Sequence, residues 1–233
     1  ITTTYYLHDQ DGKPVELSRS EGEKDLGVMV DDKVNFDKHI QQQVNKANSI
    51  MGLIRRTYTF LDETSFRYLF QALVRPHLEY AEAVWSPFTK KDIDTIEKVQ
   101  KRATKLIPSL RNMDYTNRLK KLKMPTLQYR RLRGDMIEVY KIINGIYDHK
   151  VVTGFFELSD VEQTRGHNKK LRKLSCKINK RKNYFSNRVI DVWNNLPQEA
   201  VSAKSVKDFE IAIDKHWENQ EMKYNHNANI ELK

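Results

Sequence analysis

The sequence predicts a mainly α-helical protein, a bundle of amphipathic helices behind a short N-terminal β-hairpin. Three observations predict it. From residue 36 onward, apolar side chains recur three and four apart in one stretch after another. Between those stretches stand helix punctuators: Asp62, Pro76, Ser86-Pro87, Met124-Pro125, Asn144-Gly145 and Pro197, with loops short enough for a compact bundle. Strand-like runs are confined to the chain before residue 31, where Asp11-Gly12 sits between them as a hairpin signal.

In order, residues 2–7 and 15–17 read as two strands and residues 26–30 as a third. So few apolar residues make a poor sheet alone, so this part is expected to be the least stable. Phe36, Ile40, Val44, Ala47, Met51, Ile54 and Tyr58 mark one long helix. Asp62 can cap the next, whose face carries Phe66, Leu69, Phe70, Leu73 and Val74. Pro76 suits the first turn of a helix bearing Leu78, Ala81, Val84 and Trp85, which Ser86-Pro87 stops. Ile93, Ile96, Val99, Ala103, Leu106 and Ile107 then stripe a helix over residues 89–107. A short helix over 115–122 follows, and Thr126 can cap one with Leu127, Leu132, Met136, Val139 and Ile143. The expected common core is Leu73, Val84, Trp85, Ile96, Val99, Ala103, Leu132, Met136 and Val139.

Composition shifts near residue 147. No acidic residue appears between 164 and 188, while lysine and arginine crowd in, which reads as a basic loop or loose ribbon. Helical order returns at Phe185, Val189, Val192, Trp193 and Leu196, and Ser205 with Asp208 resembles a capping box for a last helix. Beyond about residue 218 the chain is polar and is expected to fray.

The 233 residues suffice for one large domain or two small ones. A net charge of +10 and a pI near 9.5 make a polyanion the default partner. There is no long apolar run, hence no expected membrane partner, and no signal peptide opens the chain. The single cysteine, Cys176, excludes an internal disulfide framework and suggests an intracellular, reducing location. A start at Ile1, inside a strand-like run, suggests a piece of a longer polypeptide.

No catalytic arrangement stands out. The adjacent carboxylates Asp31-Asp32 could bridge divalent metals, but a solvated turn leading into a helix explains them better. The histidines lack metal-ligand spacing, and no phosphate-cradling glycine loop is present. Glu79, Glu82, Asp92 and Asp94 fit helix-surface pairing with nearby lysines, or simple exposure to water, better than a nuclease cluster. No catalytic residue, metal ligand or cofactor site is therefore assigned. Basic residues interleaved with aromatics offer more. Tyr129, Arg130, Arg131 and Arg133 share one helix, and Lys180, Arg181, Lys182 and Tyr184 form a second group. Such groups either bind phosphates and stack on unpaired bases, or are a solvated basic face with core-facing tyrosines.

The order of motifs goes further. Leu78-Glu79-Tyr80-Ala81, the Trp85-x-Pro87 step and Ile96-Glu97-x-x-Gln100-Lys101-Arg102 follow one another in LEYAEAVWSPFTKKDIDTIEKVQKRATKLI. Tyr115 with Arg118-Leu119, LQYRRLRGD, Tyr140-Lys141 and FSNRVIDVWNNLP come after; DLGVMVDDKVNFDKHI precedes. This ordered set, spanning residues 25–217, resembles the region downstream of the polymerase core in reverse transcriptases of non-LTR (LINE-type, jockey-like) retrotransposons.

The resemblance implies a thumb-like helical bundle over 35–146, behind a palm-edge strand remnant at 1–34. A basic linker (147–183), a small helical piece (184–217) and a polar tail (218–233) would follow. It implies a template–primer grip on RNA, an RNA–DNA hybrid or DNA, beside the palm and fingers of a parent polymerase, in the nucleus. That parent would use magnesium, but its catalytic aspartates lie upstream of the Leu-Gly-Val strand and are missing here. The candidate nucleic-acid contacts are Lys98, Lys101, Arg102, Arg130, Arg131, Arg133, Lys169, Lys170, Lys180, Arg181, Lys182, Tyr184 and Arg188. A non-enzymatic RNA- or DNA-binding derivative of such an element, or a helical adaptor for an acidic protein, are the other readings.

Overall fold

Two antiparallel hairpins open the chain in the computed structural model, which describes residues 4–159 and 166–232. Strand β1 (Tyr6–His8) pairs with β2 (Pro14–Glu16), and β3 (Gly22–Asp25) with β4 (Val28–Asp31). The first hairpin is exposed throughout, as the shortage of apolar residues implied; of its expected strand, residues 2 and 3 lie outside the described residues. β3 was not legible, because Gly-Glu-Lys-Asp has no alternation. Leu26, expected in a strand, instead forms the β3–β4 turn with Gly27. Both have positive φ, 42° and 90°, the combination a two-residue type I′ hairpin demands.

The remainder is mainly helical. Helix α1 (Asp37–Thr57) buries His39, Ile40, Val44, Ala47, Met51 and Ile54 on one face. Helix α2 (Glu63–Leu69) is capped by Asp62, whose carboxylate accepts the Thr64 and Ser65 N–H groups. It runs into a π-helical turn (Phe70–Val74) and then α3 (Arg75–Glu79) and α4 (Glu82–Trp85). Next come α5 (Lys90–Ala103), α6 (Tyr115–Leu122) and α7 (Leu127–Ile143), the last capped by Thr126. Short helices α8 (His149–Val152), α9 (Asn179–Lys182), α10 (Phe185–Arg188), α11 (Ile190–Asn194) and α12 (Gln198–Val201) lead to α13 (Val206–His216).

Two expected core residues are exposed. The Arg75 N–H reaches back to the Phe70 carbonyl, so the π turn holds one residue more than an α turn. It ends just before Pro76, which has no N–H to continue an α ladder. Buried positions then fall four apart, at Phe66, Phe70, Val74 and Leu78, and Leu73 turns out to 45% exposure. Val84 is 54% exposed for a second reason. Ala81 adopts φ +53° and breaks the expected helix between α3 and α4, so Val84 no longer shares a face with Leu78. Trp85 keeps its buried place, donating its indole N–H to the Tyr80 carbonyl at 2.6 Å and meeting His39 edge-on.

The buried apolar side chains form two clusters. One runs from Val28 through α1, α3, α5 and α6 to Leu127; the other holds α7 from Tyr129 onward with α10 to α13. Ile96, Val99 and Ala103 belong to the first, Met136 and Val139 to the second, and Leu132 is half-buried beside the second. The polar tail packs rather than frays. Met222 is buried, the Thr126 N–H donates to the Lys223 carbonyl at 2.9 Å, and Lys90 Nζ reaches Asn227 Oδ1 at 2.7 Å. The basic stretch is partly pinned too. The Leu158–Leu171 bridge makes a short ribbon, and Trp193 Nε1 donates to the Lys169 carbonyl.

Candidate nucleic-acid interface

The motif residues are largely occupied in holding the chain together. Tyr80 donates its hydroxyl to the Leu26 carbonyl at 2.8 Å and covers the Gly27 turn, where an added Cβ would meet its ring at 3.4 Å. His39 Nδ1 accepts the Met29 N–H at 3.2 Å, tying β4 to α1. Glu97 is buried; its Oε1 accepts the Tyr115 hydroxyl at 2.5 Å and its Oε2 the Leu127 N–H at 3.0 Å. Burial pushes the Glu97 carboxyl up, while the Tyr115 hydroxyl, the Arg131 charge and the N–H groups at the start of α7 pull it part of the way back. Gln100 donates to the Pro125 carbonyl and the Tyr115 hydroxyl, while Arg118 donates to Thr104, Met113 and Lys101 around the end of α5.

Three of the arginines expected at phosphates are committed to this chain's own carboxylates, and a fourth, Arg131, is buried beside acidic side chains with no ion pair among the described residues. Arg130 forms a bidentate pair with Glu79, at 2.5 and 2.9 Å. Arg133 pairs with Asp214 at 2.6 Å and reaches Glu210. Arg188 grips Asp135 at 2.8 and 3.2 Å and donates to the Ala83 carbonyl. Arg131 is buried among Glu97, Glu82, Glu79 and Asp135. Burial pushes Asp135 up to about 6 despite Arg188, and pushes Glu82 up to about 8, with Glu79 adding to the effect. Gly134 makes room for this seam: a Cβ there would meet Glu82 Oε1 at 2.5 Å. The charge of these residues was legible; their burial was not, since ion pairs with α3, α10 and α13 are non-local.

Lysines divide similarly. Lys169 donates to Asn144 at 2.6 Å, and Lys180 donates to the Lys33 carbonyl. Lys170 is half-buried. Lys98, Lys101, Arg102, Arg181 and Lys182 are exposed, with Lys101 Nζ 6.0 Å from the Tyr115 ring. Tyr184 is 54% exposed, so it is not a core-facing tyrosine.

A larger cationic feature lies elsewhere. The C-terminal half of α1 packs against α5 and the turns that follow it, leaving a groove of about 720 Å³ lined by Arg55, Tyr58, Lys105 and Arg111. It continues past Arg102, Asn48 and Gly52 to Arg56. Among the described residues no carboxylate lines any part of it. Arg55, Arg56, Arg102, Lys105 and Arg111 make no ion pair among the described residues, and all are exposed. Only Arg102 was anticipated. The available signal was the absence of any acid from residues 38–61 and again from 98–113. That two such stretches face each other is visible only in the fold.

The Asp31-Asp32 pair does not fit a magnesium site. Asp31 accepts the N–H groups of Lys33, Asn35 and Phe36, which with the Lys180 charge outweigh partial burial and hold its carboxyl below the usual range. Among the described residues no group of three or more histidine, cysteine or carboxylate side chains is placed to hold a metal ion. No helix among them is long and apolar enough to cross a membrane.

No family model matches the chain, and no solved structure matches it. It is similar to "Uncharacterized protein B0403.1" of Caenorhabditis elegans, 28% identical over 126 residues. That alignment covers 53% of this chain and 64% of the relative.

Proposed function

We propose that this chain grips nucleic acid by its backbone, as the thumb-like part of an RNA-directed DNA polymerase of the non-LTR retrotransposon type. The observation that carries the proposal is the groove between α1 and α5, along which, among the described residues, no carboxylate lies and Arg55, Arg56, Arg102, Lys105 and Arg111 make no ion pair. Such cations, held on α1, on α5 and on the turns that follow it, supply the counterion release that drives phosphate binding, without base readout. Lys98 and Lys101 extend the same acid-free stretch of α5. The motif order described above is what points to a polymerase rather than another nucleic-acid binder. In that setting the ligand is template paired with primer, and the chemistry belongs to a palm outside this chain.

Binding of an RNA–DNA hybrid, single-stranded RNA and duplex DNA at several salt concentrations, with polyglutamate as competitor, tests this. Salt-steep binding of at least one nucleic acid, resistant to polyglutamate, is expected. Equal or tighter binding of polyglutamate puts the adaptor for an acidic protein ahead. Incorporation of deoxynucleotides by the purified chain with magnesium or manganese contradicts the assignment of catalysis to another segment.

A further inference from the structure

A second groove, of about 320 Å³, lies away from the first and joins three distant stretches of chain. Val34 and Phe36 form one wall, Val84 and Phe88 another, and Tyr184 a third, with Lys180 and Arg181 at the rim. That volume is at the small end of ligand sites. Val34, Val84, Phe88 and Tyr184 are 47%, 54%, 44% and 54% exposed, so the walls are open to an occupant. Neither the Phe88 nor the Tyr184 ring packs against another aromatic among the described residues.

The Val34–Phe36 wall is held in an uncommon backbone conformation. Val34 has φ +51° and Phe36 φ +61°, a region that costs a β-branched or bulky residue energy. Asp31 fixes it by accepting the Lys33, Asn35 and Phe36 N–H groups, and Lys180 ties it to α9 through the Lys33 carbonyl. The groove is thus preformed and mostly apolar on its walls, with Ser86, Asn183, Lys180 and Arg181 as its polar lining and no carboxylate among the described residues that line it.

We infer that this groove takes one unpaired nucleotide, its base stacked on Tyr184 and Phe88 and its phosphate against Arg181. The charge pattern selects the occupant: the walls want an apolar planar face, and the rim wants an anion attached to it. A nucleotide carries both, and any base presents a π face, so the site is tolerant of sequence. This inference rests on the nucleic-acid reading above and adds to it a position where a strand leaves the duplex.

The test uses a single-stranded RNA carrying one 2-aminopurine, with the intact chain. Binding to the unaltered protein should shift the probe's fluorescence as its base changes stacking partner. Tyr184→Leu should weaken single-stranded RNA binding about 5- to 150-fold and abolish that shift, with the salt slope unchanged and duplex DNA affinity kept. Phe88→Leu should act in the same direction, and Tyr184→Phe should restore binding. Both side chains are half-exposed, and unchanged thermal melting checks that the fold survives. Full single-stranded affinity in both leucine variants, with salt-steep binding intact, overturns the stacking site alone. No binding by the unaltered protein at low salt removes the nucleic-acid reading and this site with it.

Discussion

Arg188 and Asp135 stand 53 residues apart in sequence, and Arg188 Nη2 lies 2.8 Å from Asp135 Oδ1. The pair joins α10 to the middle of α7, and its carboxylate is almost wholly enclosed, at 5% side-chain exposure. An arginine that reads from sequence as a phosphate contact is here a tie inside the second cluster. Arg188→Gln should therefore destabilise the protein by about 3 kcal/mol, because it strands a buried carboxylate. Urea unfolding measures this, and the salt slope of nucleic-acid binding should not move with it.

The seam along α7 also makes stability depend on pH. An unfolded glutamate titrates near 4.3, about the value for a free side chain, whereas Glu82 in the folded chain is raised to about 8. Between these values the folded state holds a proton that the unfolded state has lost, so stability falls as pH rises from about 4.5 toward 8, then levels. Asp135, raised to about 6, adds to the fall in the lower part of that window. Glu82→Gln should flatten the dependence above pH 6, read as urea midpoints at pH 5, 6.5 and 8.

At the centre of the first cluster, Trp85 is 1% exposed and donates to the Tyr80 carbonyl. Trp85→Ala should cost roughly 3–5 kcal/mol, the loss for deleting a large buried aromatic. Unchanged stability would place the centre of this cluster elsewhere.

The π turn gives a paired comparison. Val74 is buried and Leu73 is not, although both belong to the apolar stripe read from sequence. Val74→Ala should cost roughly 2 kcal/mol, and Leu73→Ala no more than about 0.5 kcal/mol. Equal losses would restore a continuous α-helix through this stretch.

These cases show how much was legible. Local rules worked where the partner is a few residues away: the caps at Asp62, Thr126 and Ser205 and the stripe of α5 all stand where the pattern put them. They failed where one residue changes the phase, as the π turn does to Leu73 and Ala81 does to Val84. They were silent on which charges face each other. Nothing local to Arg130 announces Glu79, and Arg55 carries no mark of Lys105 across the groove. Tyr184 was visible as an aromatic beside cations, but Phe88 and the Val34–Phe36 wall joined it only through the fold.

The most direct test of the central claim is the salt dependence of RNA–DNA hybrid binding by a variant carrying Gln at Arg55, Arg56, Lys105 and Arg111. Each lost phosphate contact removes about 0.7–0.9 from the slope of log affinity against log salt, so the four together should lower it by about 3. Affinity should fall alike for unrelated sequences, while urea stability stays put, since these side chains make no ion pair among the described residues. A slope and affinity equal to those of the unaltered protein would contradict the account, leaving the groove as a solvated basic face.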